Sequence, residues 1–130
     1  MNETFSGIAI QFPYSSLIVS GAKTIETRIY PLPKKYVGKK LLIIETPGTN
    51  RKIKTAIIGW IVFGEPYLYS TKAKFDSEFK FHKVETGSIF YWQKDRPKWA
   101  WPITAVGRFR SRTPPSKRIG IKFTTGLAIK

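Results

Sequence analysis

The stretch Gly21-Ala22-Lys23-Thr24-Ile25-Glu26-Thr27-Arg28 decides how the rest of the chain is read. Just before it, residues 11–20 predict a helix of about two turns. Pro13 suits the first helical position, and Gly21 suits the left-handed residue past the end. Tyr14, Leu17 and Ile18 follow at i, i+3 and i+4, which gives that helix one side to pack on a core. After Gly21 the period changes to two. Ile25, Thr27 and Ile29 fall on one face, and Thr24, Glu26, Arg28 and Tyr30 on the other. Glu26 and Arg28 therefore share a strand face, with Lys23 entering from the turn beside them. A cation, an anion and a planar guanidinium gathered at a helix–strand junction read as a site. A surface ion-pair cluster fastening the helix to the strand is the alternative.

Downstream, the pattern is mostly that of strands. Residues 41–45, Leu-Leu-Ile-Ile-Glu, form a short apolar run that suits a strand covered on both faces. Pro47-Gly48-Thr49-Asn50 is a turn cluster. Residues 55–64 are the most hydrophobic stretch, rich in β-branched residues, with Gly59 predicting a bend or a close backbone approach. Ser70 or Thr71 can cap a helix over residues 72–80 that carries Phe75 and Phe79 at i and i+4. Residues 81–84 then read as extended, and residues 87–92 begin another apolar piece. Residues 99–109 read as a long strand with an edge or bulge at Pro102, which cannot donate to a ladder. Arg108, Arg110 and Arg112 alternate beyond it and would share one face. Pro114-Pro115 breaks the pattern before a last strand over residues 119–123. Several strands with one or two short helices predict an α+β domain built on a small β-barrel.

Charge bounds the partner. The 130 residues carry 23 Lys and Arg against 8 Asp and Glu, a net charge of +15. A single domain this basic usually meets a polyanion. Nine of the bases and no acid lie from Arg96 to the end. A second basic region over residues 34–54 has Glu45 as its lone acid. With no cysteine and one histidine, His82, neither a disulfide framework nor a thiolate or multi-histidine metal centre is possible. No cofactor is implied. No apolar run is long enough to span a bilayer, and the N-terminus has no signal-like pattern, so a cytoplasmic protein without a membrane partner is the expectation.

Gly21, Lys23, Glu26 and Arg28 form a G-x-K-x-x-E-x-R pattern behind a Pro-Tyr helix. This resembles the ASCH domains, small β-barrels of the PUA-like superfamily associated with RNA. Gly59, the Gly87-Ser88 pair and Trp101-Pro102-Ile103 follow in an order that suits the family. The resemblance covers residues 5–109 of a single domain spanning 1–130, and residues 110–130 form a basic extension outside it. It implies a cleft around Lys23, Glu26 and Arg28 that holds RNA or a nucleotide. Tyr14 and Trp101 accompany family-like motifs and are expected to line it.

In that cleft Lys23 and Arg28 would hold phosphate, Arg28 through its two-pronged fork. Glu26 would accept hydrogen bonds from a base edge or an exocyclic amine. Arg108, Arg110, Arg112, Lys117 and Arg118 would track the backbone without reading sequence. Single-stranded or looped RNA is favoured, because a cleft needs an exposed base; DNA remains open, and no metal is required.

Two other readings stay open. In a small hydrolase acting on a modified nucleoside or on RNA, Lys23, Glu26 and Glu65 would be the catalytic candidates, with His82 as an outside possibility. Some ASCH-like proteins resemble amidohydrolases in which a threonine sits three residues after the motif lysine. That position is Glu26 in this chain, and Thr27 is expected to face away. The last reading is a protein-interaction module for an acidic partner.

Overall fold

The structure is a computed structural model that describes residues 3–129. Among the described residues, seven strands and three short helices follow in this order: β1 (Thr4–Gln11), α1 (Tyr14–Val19), β2 (Ile25–Arg28), β3 (Leu41–Thr46), β4 (Ala56–Phe63), β5 (Tyr67–Leu68), α2 (Lys72–Ser77), α3 (Phe79–His82), β6 (Trp99–Thr113) and β7 (Phe123–Ala128). They form a single mixed sheet in the order β2-β6-β4-β3-β1-β7, with β5 also on β6. β1 and β3 run parallel, and the other pairs are antiparallel. A parallel pair needs a crossover, and α1 with β2 lies in that crossover.

The expected barrel is not found, because the sheet is not closed. β7 ends it on β1, and β2 ends it on β6. Between β2 and β1 the link is a side chain rather than a ladder: Arg28 Nη2 donates to the Ala9 carbonyl at 3.0 Å. A guanidinium spanning that gap keeps the two backbones apart, and a cleft opens between them.

Both faces of β3 are covered, as its unbroken apolar run requires. Leu41 and Ile43 pack with Ile8, Ile10, Ile18, Ile61 and Phe63 on one side, while Leu42 and Ile44 pack with Ile57 and Leu127 on the other. Gly59 is where two backbones crowd: a Cβ there would lie 2.2 Å from the Gly107 carbonyl oxygen. β6 gains a residue at Thr104, since Val62 pairs with Ala105 and Phe63 with Ile103. This bulge lies just past Pro102 and lets β6 pass from β2 to β4.

Three local expectations change. The helix predicted over 72–80 is capped by Thr71 Oγ1, which accepts the Lys74 N–H at 3.1 Å. It breaks at Glu78 into α2 and α3, so Phe75 is buried and Phe79 is exposed. Residues 81–84, read as extended, instead complete α3 and turn at Lys83, where φ is 61°. The last strand lies at Phe123–Ala128 rather than 119–123. It pairs with β1 and buries Leu127, so the basic extension is part of the sheet.

Candidate functional site

α1 starts from Pro13 as its cap and ends at Ser20, and Gly21 then turns the chain with φ +85°. That turn delivers Lys23 beneath the cleft, where it is 1 % exposed. The strand alternation then buries Ile25 against Tyr69, Phe75 and Val84 and turns Glu26 and Arg28 toward the cleft. Lys23 Nζ lies 3.5 Å from Glu26 Oε1 and donates to the His82 carbonyl. Arg28 grips Glu26 Oε2 through Nε at 3.1 Å and Nη2 at 2.9 Å. The Thr27 N–H adds a bond to Glu26 Oε1 at 3.3 Å.

Burial and charge pull these groups in opposite directions. Burial alone would push the Glu26 carboxyl up, but Arg28 and then Lys23 outweigh it and hold it below the ordinary carboxylate value. Burial pushes the Lys23 ammonium down; Glu26 opposes this and Arg28 adds to it. Burial works against the Arg28 charge too, yet Glu26 and Tyr30 keep it raised. Lys98, not singled out from sequence, belongs to the same group. It is buried and donates from Nζ to the Phe90 carbonyl at 2.6 Å; burial pushes its ammonium down, which Glu26 opposes and Lys23 adds to. Its signal was a lysine set within an apolar strand start, Lys98-Trp99-Ala100-Trp101. Lys23 and Arg28 thus pair with one carboxylate, and Lys98 is buried nearby.

Above this floor is a cleft of about 320 Å³, at the small end of the range for small-molecule sites. Tyr14, Phe90, Val84, Ile119 and Ile121 supply apolar walls and Gln11 and Thr46 polar ones, and Thr27, expected to face away, borders the cleft as well. Tyr14 is placed as expected. Lys23 Nζ is 5.1 Å from the centre of its ring, and its hydroxyl meets Ser88 Oγ at 3.2 Å.

Other candidates fall elsewhere. Trp101 is fully buried, packs edge-on to Phe63 at 5.5 Å and donates its indole N–H to the Tyr30 carbonyl at 3.1 Å. It forms the core beneath Arg28 and does not line the cleft. Glu65 is exposed between β4 and β5, away from the cleft lining. His82 is structural. Its Nδ1 accepts the Val84 N–H at 2.9 Å, so Nε2, at 2.8 Å, donates to the Phe75 carbonyl. Burial lowers its pKa.

The arginine row of β6 is also divided. Arg108 and Arg110 are exposed, as are Lys117 and Arg118. Arg112 instead pairs with buried Glu45 and donates to the Lys54 carbonyl at 2.5 Å. The ladder breaks between Gly59–Arg108 and Ile57–Thr113, which ends the simple alternation. Among the described residues no cluster of three or more His, Asp or Glu could hold a metal ion, and no helix is long and apolar enough to cross a membrane.

No family model matches the sequence, and no curated protein matches it. Solved structures do. The crystal structure of ASCH from Zymomonas mobilis superposes with a TM-score of 0.73 at 17% identity, over 92% of this chain and 85% of that one. Two mutant structures of the same protein give TM-scores of 0.72 and 0.63, also at 17% identity, over 92% of this chain and 88% and 86% of theirs. The chain therefore has the fold of these ASCH structures, the family that its G-x-K-x-x-E-x-R motif resembles.

Proposed function

We propose that this domain binds RNA or a nucleotide in the cleft above Lys23, Glu26 and Arg28. The observation that carries the reading is the charge of the cleft floor: two buried cations, Lys23 and Arg28, share the single carboxylate of Glu26. Burying surplus positive charge is costly unless a counter-charge arrives. An anion of the phosphate class relieves that cost; Nε and Nη2 of Arg28 are taken by Glu26 and Ala9, which leaves Nη1 for it. The apolar walls then suit the faces of one base, and the volume suits a single nucleotide rather than a duplex. Exposed Arg108, Arg110, Lys117 and Arg118 would extend the grip along the strand.

Glu26 works as a holder in this scheme. Its Oε2 accepts two bonds from Arg28, and its Oε1 accepts the Thr27 N–H and lies 3.5 Å from Lys23 Nζ. A carboxylate so held, and kept below its ordinary value by Arg28 and Lys23 against the pull of burial, is a poor proton shuttle. Binding is therefore a better reading than acid–base hydrolysis.

The test is fluorescence anisotropy of short labelled RNAs and matched DNAs across a salt series, with the RNA recovered and sized. Arg28→Lys should weaken binding about tenfold while the oligonucleotide stays intact. Unchanged affinity would leave only the exposed bases as the binding surface, and cut RNA would return the hydrolase reading.

A further inference from the structure

Glu26 is tied to Arg28, Lys23 and the Thr27 N–H, so the edge of a nucleotide held in this cleft calls for a second polar group. Gln11 and Thr46 are register partners at the ends of the parallel strands β1 and β3, and both line the cleft. The Phe12 N–H bonds the Thr46 carbonyl at 2.8 Å and locks the two strand ends together. No described residue accepts from or donates to the Gln11 amide or the Thr46 hydroxyl, and no buried side-chain polar atom is left unpartnered. Their polar atoms therefore face solvent in the cleft.

The 47–50 turn runs beside the Gln11 amide. Gly48 turns with φ +59°, and a Cβ on it would lie 2.9 Å from the Phe12 carbonyl oxygen and in ordinary contact, at 3.4 Å, with the amide carbon and nitrogen of Gln11.

The spacing fits a ligand. Arg28 is fastened to the carbonyl of Ala9, and Gln11 lies two residues farther along β1 on the same face. Two residues of strand advance about 7 Å, the reach of one nucleotide from its phosphate to its base. We infer that Gln11, assisted by Thr46, is the specificity-determining group that reads the base edge of a nucleotide whose phosphate rests on Lys23 and Arg28. A carboxamide presents N–H donors beside a carbonyl acceptor, the complement of a base edge that sets a donor next to an acceptor. Tyr14, Phe90 and Ile121, the last 93 % exposed at the lip, would cover the base faces. The inference rests on the nucleotide reading above and assigns its second polar group.

Calorimetric titration of the full chain with inorganic phosphate and with each of the four ribonucleoside monophosphates tests it. The variants are Gln11→Met, which keeps length and packing, Thr46→Val, and Arg28→Lys. Gln11→Met should weaken at least one nucleotide about tenfold, with a smaller loss for Thr46→Val, while inorganic phosphate binds both as it binds wild type. Arg28→Lys should weaken phosphate and nucleotides alike. Nucleotide binding unaltered by Gln11→Met overturns the assignment and leaves the parent reading standing. An equal loss of phosphate and nucleotide in that variant overturns it as well, since the residue would then support the site as a whole. Wild type that binds neither ligand overturns both.

Discussion

Replacing Glu26 by Gln removes the only negative charge among Lys23, Arg28 and Lys98 while keeping the side chain's shape. Lys23 is buried and Arg28 largely so, at 1 % and 19 % side-chain exposure, so water screens little of what is lost. Removing one partner of a buried pair typically costs about 3–5 kcal/mol. The amide oxygen keeps some of the three hydrogen bonds, which puts the expected loss near the lower end, about 3 kcal/mol. For a domain of this length that corresponds to a fall in Tm of about 10 °C. Thermal unfolding followed by circular dichroism at neutral pH measures it. The cause separates itself from simple loss of packing through anions. Phosphate should recover a larger part of the Tm in Glu26→Gln than it adds to wild type, because it supplies the missing counter-charge. A loss below about 1 kcal/mol, or one indifferent to phosphate, would refute the view that Glu26 neutralises a buried cation cluster.

Other outcomes follow from the same geometry. Because the Glu26 pKa is depressed in the fold, the unfolded chain binds its proton more readily. Its contribution is complete above the ordinary value of 4.5 and is lost as pH falls through the lower folded value. Acid denaturation curves of wild type should thus steepen below pH 4.5, and those of Glu26→Gln should lack that component. Trp101→Ala should cost about 3–5 kcal/mol in urea unfolding as a core cavity, whereas Trp101→Phe should leave nucleotide affinity unchanged. Gly59→Ala should destabilise by more than about 1 kcal/mol, since its Cβ meets a backbone carbonyl that cannot swing away. Arg108→Ala with Arg110→Ala should lower the salt slope of RNA binding by about 2 without altering the affinity for a mononucleotide.

What could be read before the structure was local. The helix, the turn at Gly21 and the shared face of Glu26 and Arg28 depend on spacings within a dozen residues, and each was found. The Gly59 approach was visible because a glycine in a β-branched run has few other reasons to be there. What escaped was long-range. Lys98 looked like one more base in a basic region, and only the packing of β6 on β2 takes it into the cluster. Trp101 beside a motif reads equally as a stacking platform or as core, and its burial among Tyr30, Phe63 and Phe123 decided for core. Gln11 carried no signal at all, since a lone glutamine before a proline turn has no distinctive chemistry. Barrel closure was inferred from strand count, whereas the gap depends on one side chain, Arg28, reaching Ala9. The helix break at Glu78 follows from its carboxylate, which is drawn to the hydroxyls of Tyr67 and Tyr69 at 2.6 and 2.7 Å.

The most direct measurement is a ¹⁵N–¹H correlation spectrum of the full chain titrated with a short single-stranded RNA at moderate salt. The account predicts saturable shifts at Thr27, Thr46 and Gly120 amides, at the Gln11 side-chain amide and at the Arg28 Nε–H, all around the cleft. Shifts confined to Arg108, Arg110, Lys117 and Arg118, with the cleft signals unmoved, would contradict it.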